Sequence, residues 1–228
     1  MNVLIAGESS GATRDAFIAM GHNAMSCDLL ETEVQGPHYK GDVRDVLPES
    51  WDLLIAHPTC TYLSSSGLHW NKRPAGIAIN RAGLTEDAIK FARMFIDGPE
   101  TAHIPKRGTE NPIGCLSTRV RRPDQIIQPH QFGDDASKAT CLWLHGLPKL
   151  IPTCHVPPRM VCCGQTLPNG VGKYGCPNCC GEKTARPRWA NQTDSGQNKL
   201  GPSDDRWRLR SKTYPGIAAA WASQWGSV

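Results

Sequence analysis

The sequence predicts an α/β protein built on a Rossmann-like, mainly parallel sheet, and three observations carry that expectation. A short apolar run, Leu53-Leu54-Ile55-Ala56, lies between Asp52 and Pro58, as a strand buried on both faces would. Val3-Leu4-Ile5-Ala6 is followed by a glycine-bearing turn, Gly7-Glu8-Ser9-Ser10-Gly11, and then by a helical stretch, the first half of a βαβ unit. Residues 85–96 place Thr85 as a cap, Glu86 and Asp87 in the first turn, and Ile89, Ala92 and Phe95 at helical spacing, which reads as a crossover helix. With 228 residues the chain has room for one such domain and a small appendage.

The elements follow in order. Residues 2–6 form a strand, and residues 12–20 a helix closed by Gly21. The turn between them brings backbone amides close to a ligand at the helix N-terminus. Residues 23–27 form the next strand and end at Asp28, about twenty residues beyond the glycine turn, where a nucleoside site places a carboxylate on ribose hydroxyls. Asp42 follows a further short segment, and the two carboxylates together suggest a nucleoside cofactor held across several strand ends. The strand at 53–56 then delivers Cys60 just beyond its carboxyl end. Ligands bind at that edge of open α/β sheets, so this thiol is a candidate nucleophile.

Residues 61–74 are rich in serine and carry Gly67, Trp70, Lys72 and Arg73, which reads as a mobile lid beside the nucleophile. The strand expected after the crossover helix, residues 101–109, is poorly written, because Pro105 and Gly108 interrupt it. It leads to Glu110-Asn111-Pro112 at the carboxyl edge, with Pro112 forcing Asn111 toward an extended backbone. Arg119 and Arg121 alternate about Val120, which would set both guanidinium groups on one face of a strand. Pointed at the site they would clamp phosphate or a base edge; pointed outward they serve solubility.

Ten cysteines divide into scattered ones, Cys27, Cys60, Cys115 and Cys141, and a cluster from Cys154 to Cys180. Cys162-Cys163-Gly164 and Cys176-Pro177-Asn178-Cys179 form two turns whose thiolates would complete a zinc tetrahedron. Cys162, Cys163, Cys176 and Cys179 are the expected ligands of this structural zinc, with Cys154, His155 or Cys180 as substitutes for one of them. The net charge of +4 is concentrated in the last third, where Arg186, Arg188, Arg206, Arg208, Arg210 and Lys212 favour a nucleic-acid partner. The expected division is a core over 1–150, a cysteine-rich recognition segment over 151–200, and a return helix over 201–228. No apolar run approaches a membrane span, and the N-terminus lacks the basic flank of a signal peptide, which places the protein in the cytoplasm.

Taken in order, the first strand, Asp28, Asp42, Pro58-Thr59-Cys60, Glu110-Asn111 and Arg119-Val120-Arg121 resemble the DNA cytosine carbon-5 methyltransferases, and most closely the short phage and prophage members. The resemblance implies a class I S-adenosylmethionine-dependent methyltransferase fold acting on double-stranded DNA; the cysteine-rich segment is the expected zinc-stapled insertion in it, and a monomer is expected. It implies that Ile5, Gly7 and Gly11 form the cofactor turn, with Asp28 on the ribose, Asp42 facing adenine, and Pro58 and Thr213 completing the pocket. It further makes Cys60 the nucleophile, Glu110 its partner at ring nitrogen 3, and Arg119 and Arg121 the arginines near the target base. Thr59 in place of the proline before the cysteine, Ile5 in place of an aromatic, and Pro112 after Glu-Asn depart from the family pattern. A decayed core that binds DNA through zinc without turnover is the alternative reading.

Overall fold

The computed structural model describes residues 1–72, 80–162, 165–166 and 185–227. The chain divides into two compact units, one of Met1–Ile127, Ala139–Ile151 and Thr213–Val228, the other of Gln128–Lys138 and Pro152–Lys212. The second unit therefore takes a segment from within 1–150 and the start of the expected return helix.

In the first unit, β1 (Asn2–Ala6), α1 (Ala12–Ala19), β2 (Asn23–Asp28), β3 (His38–Lys40) and β4 (Leu53–Ala56) lead to α2 (Ser65–Leu68) and α3 (Arg81–Ile96). There follow β5 (Lys106–Pro112), α4 (Leu116–Arg119), β6 (Gln125–Ile127), β7 (Thr140–His145) and, after the excursion into the second unit, α6 (Pro215–Trp225). The seven strands run in the order β3-β2-β1-β4-β5-β7-β6. The first five are parallel, and β7 is antiparallel to both of its neighbours. The α/β expectation with a mostly parallel sheet is met. Chain order reverses at β1, so the crevice between the carboxyl ends of β1 and β4 is the topological switch point.

All four residues of β4 are buried, as are Val3 to Ala6 of β1. Leu4, Ala6, Leu54 and Ala56 pack against Met94, Phe95 and Ile104 on one face. α1 and α6 pack against each other, and α1 also against β1. The crossover helix starts earlier than expected because Asn80, not Thr85, caps it, accepting from the Gly83 amide at 3.0 Å.

The poorly written strand is real but displaced: β5 occupies Lys106–Pro112 and pairs on both sides. Gly108 serves close approach, since a Cβ there would stand 3.1 Å from the ring of the fully buried Trp225. Replacing Gly108 with valine is expected to lower stability by about 2 kcal/mol through overpacking, measured as a shifted denaturation midpoint.

The second unit holds a three-stranded antiparallel sheet, order β10-β8-β9, made of β8 (Arg159–Cys162), β9 (Gln165–Thr166) and β10 (Arg186–Arg188), and a short helix α5 (Arg206–Ser211). Trp189 stacks on His130 with centroids 4.2 Å apart, and Arg159 pairs with Asp194 at 2.6 Å. Among the described residues no helix is long and apolar enough to cross a membrane.

Candidate active site at the carboxyl edge of the sheet

Parallel strands deliver the singled-out residues to one edge. Gly7 follows β1, Asp28 ends β2, Asp42 follows β3, His57 to Cys60 follow β4, and Glu110 and Asn111 lie at the end of β5. Five neighbouring strands thus bring together residues spread over a hundred positions of sequence.

The Cys60 turn and the end of β5 are fastened to each other. Asn111 Nδ2 donates to the Pro58 carbonyl at 2.7 Å, and Asn111 is 1% exposed. Beyond Cys60, the Ser65 amide donates to the Ile113 carbonyl at 3.0 Å, and the Cys115 amide to the Leu63 carbonyl at 2.9 Å. Cys60 opens a single 3₁₀ turn, Cys60–Tyr62, whose Leu63 is fully buried. Thr85, placed inside α3, donates its hydroxyl to the Tyr62 carbonyl at 3.1 Å. The first part of the stretch expected as a lid is folded backbone. α2 and the 3₁₀ turn His69–Lys72 follow a turn whose Thr61 and Tyr62 carbonyls accept from Arg81 and Thr85 of α3, and the Ser65 amide donates beyond β5. The rest of that stretch, residues 73–79, lies outside the described residues.

Glu110 faces His57, Oε2 to Nδ1 at 3.5 Å, with side-chain exposures of 16% and 10%. The imidazole also lies against Trp221 of α6, ring centroids 5.6 Å apart. Gly7 makes room for this strand end: its φ is +76°, and a Cβ would stand 2.5 Å from the His57 carbonyl oxygen. Sequence reasoning passed over both His57 and Trp221. The signal was present in His57-Pro58-Thr59-Cys60, where the histidine follows Ile55 in alternation just beyond a fully buried strand.

At the β1 turn the expected free amides are occupied by the protein itself. Glu8, 5% exposed, accepts from the Thr13 amide at 2.8 Å and the Arg14 amide at 3.2 Å. Its carboxylate answers the positive end of α1, so an anionic ligand meets a charge of its own sign there. Arg14 is fully buried and ties α1 to the segment beyond β2. Its guanidinium donates to Ser26 Oγ and Thr32 Oγ1, both at 3.2 Å, and to the carbonyls of Val34 and Gln35 at 3.2 and 3.4 Å, and pairs with Asp15 at 2.8 Å. Gly11, φ +75°, and Gly36 exist to admit it, since a Cβ on either would stand 2.6 Å from the guanidinium group.

Asp28 accepts from the Leu30 amide at 2.9 Å, while Asp42 caps its own turn, accepting from the Arg44 amide at 3.0 Å and the Arg44 guanidinium at 3.1 Å. Ile5 is fully buried in β1, paired in register with Ser26 and Ile55. Pro58 is buried, and Thr213 is half-buried one residue before the N-cap of α6, Tyr214.

Arg119 and Arg121 do not share a strand face. Arg119 ends α4 and its Nη2 donates to both carboxylate oxygens of Glu86 of α3, at 2.9 and 3.0 Å, whereas Arg121 follows the helix and pairs with Asp124 at 2.8 Å. Alternation misled here because Leu116 and Cys115 pack into the α3 layer and turn the chain helical before Val120.

Environment separates the scattered thiols. Burial, with Asp28, Asp42 and Asp45 nearby, pushes the Cys27 thiol up to about 12, and burial raises those of Cys115 and Cys141. Cys60 is half-buried and free of disulfide. In native protein at pH 8, iodoacetamide is expected to label Cys60 at least about 10-fold faster than Cys27 or Cys141. Peptide mass spectrometry over a time course reads this; equal rates would contradict it.

Cys162 is buried at the end of β8. Cys163, Cys176 and Cys179 lie outside the described residues, and among the described residues no group of three or more His, Cys, Asp or Glu side chains could hold a metal ion.

No family model matches the chain, and no curated protein matches it. Among solved structures, a candidate DNA modification methyltransferase encoded within a prophage of E. coli superposes with a TM-score of 0.44 at 11% sequence identity. The match covers 69% of this chain and 52% of that one, so it spans about half of the neighbour's length.

Proposed function

We propose that the protein transfers a methyl group from S-adenosylmethionine to carbon 5 of a cytosine extruded from double-stranded DNA. The observation that carries the proposal is the fastening of the Cys60 turn to the Glu110 strand end, through Asn111 and Pro58, beside the topological switch point. The order of motifs along the sequence supports it independently.

Carbon 5 of cytosine is a weak nucleophile. Cys60 sulfur first bonds to carbon 6, which turns the ring into an enamine, and Glu110 gives a proton to ring nitrogen 3 as negative charge develops there. When bound, S-adenosylmethionine supplies the electrophilic methyl group that carbon 5 accepts. Loss of the carbon-5 proton then expels Cys60 and restores the aromatic ring. The target base leaves the stack, because neither face of carbon 6 is open to a thiolate within a duplex.

The half-buried carboxylates of Asp28 and Asp42 suit the ribose and adenine of this cofactor. Glu8 at the α1 terminus disfavours a dinucleotide's pyrophosphate and tolerates a cofactor that lacks phosphate. Arg119 and Arg121 take part in this reading by exchanging their carboxylate partners for DNA. α5 exposes Trp207 and Leu209 and carries Arg206, Arg208 and Arg210, side chains of the types that suit unstacked bases and backbone phosphates.

Purified protein with labelled S-adenosylmethionine and duplex DNA should yield 5-methylcytosine on nucleoside analysis, and DNA bearing 5-fluorocytosine should become covalently attached. Methyl on adenine or on cytosine nitrogen 4 would overturn the assignment. Salt-sensitive DNA binding with no product would favour the non-catalytic alternative.

Structural zinc in the second unit belongs to the same proposal and stands on the cysteine spacing. Elemental analysis of reduced protein is expected to find one zinc per chain, reduced in Cys176→Ser; metal-free protein would dismiss it.

A further inference from the structure

His57 takes no part in the steps above, yet its surroundings are built. Its amide donates to the Ala6 carbonyl at 2.8 Å, Gly7 leaves space for its backbone, and Trp221 of α6 lies against its ring. Trp221 is 1% exposed and stacks in turn on the fully buried Trp225, centroids 5.7 Å apart. Neither His57 Nε2 nor Trp221 Nε1 has a hydrogen-bond partner among the described residues, so nothing there draws the imidazole away from Glu110. The one described carboxylate at ion-pair distance from the ring is Glu110, at Nδ1.

We infer that His57 is the positioning residue of Glu110, directing Nδ1–H at Oε2 so that the carboxyl group is oriented before the cytosine arrives. The inference rests on the proposed reaction and deepens it. As Cys60 sulfur bonds to carbon 6, an electron pair moves toward nitrogen 3, which takes the carboxyl proton of Glu110. The carboxylate so formed is stabilised by Nδ1–H, and the proton returns to Glu110 when the carbon–sulfur bond breaks. His57 gains and loses no proton over the cycle. Its separation of 3.5 Å is long for a hydrogen bond, as pairs in ligand-free sites commonly are before substrate tightens them.

Two measurements test this. Nitrogen-15 NMR of histidine-labelled protein, with the signal assigned by its loss in His57→Asn, is expected to show the Nδ1–H tautomer and to shift in Glu110→Gln. A ring protonated on Nε2 alone and unmoved by Glu110→Gln would overturn the inference. In the methyl-transfer assay, His57→Phe is expected to lower kcat about 100-fold with the KM for DNA within about twofold. His57→Asn, whose amide nitrogen takes the place of Nδ1, should restore most of that loss, and His57→Gln, which extends past it, should not. An unchanged kcat in His57→Phe, or equal rates for the asparagine and glutamine variants, would refute it, and the latter pair decides the matter if the phenylalanine variant fails to fold. Unaltered protein that shows the Nδ1–H tautomer but transfers no methyl would overturn the enzymology while leaving the His57–Glu110 pair in place.

Discussion

Cys60→Ala is expected to lower methyl transfer by on the order of 10⁴-fold or more and to abolish attachment to 5-fluorocytosine DNA. The neighbouring thiols are poor substitutes: Cys27 and Cys141 are buried in the core, and burial raises the thiols of Cys27, Cys115 and Cys141 above their ordinary range. The turn itself should survive, because its contacts run through backbone atoms. The Cys60 carbonyl accepts from the Leu63 and Ser64 amides, both at 3.0 Å, and alanine keeps that carbonyl. Stability should accordingly change by less than about 1 kcal/mol, so lost activity in folded protein isolates the sulfur. Full activity in Cys60→Ala would remove the covalent mechanism altogether.

Arg14→Met should produce the largest loss of stability, about 3–4 kcal/mol. Methionine fills much of the volume but donates no hydrogen bond, leaving the Val34 and Gln35 carbonyls and the Ser26 and Thr32 hydroxyls without the donor they now share. The segment beyond Asp28 should then loosen from α1. A lower denaturation midpoint at unchanged slope, with faster proteolysis within residues 29–37, would report both effects. A variant as stable as the unaltered protein would mean that those groups find other partners as readily.

The strands and helices of the parallel half were legible because each is written locally. Leu53-Leu54-Ile55-Ala56 is apolar throughout and is buried on both faces, and the Gly7 to Gly11 turn carries the positive φ values that only glycine adopts freely. Where the register of burial depends on partners far away in sequence, local pattern does not report it. Gly108 looked like a strand breaker and is instead the clearance for Trp225, more than a hundred residues on. Arg119 and Arg121 looked paired on a strand and are separated by the end of a helix that α3 draws into place.

The site divides along the same line. Sequence by itself determined which chemical groups reach the carboxyl edge: the Cys60 thiol and the Asp28 carboxylate follow strands that their own composition declares, while Asp42 and Glu110 were placed there by motif order across segments whose composition declares no strand. Only the tertiary structure decided how they are held. Asn111 joins Pro58 across two strands, Glu8 rather than a ligand takes the α1 amides, and His57 stands between Glu110 and Trp221. The physical reason is that a strand's composition reports how much of it is buried, whereas the direction and partner of a hydrogen bond depend on atoms that meet only when distant segments pack.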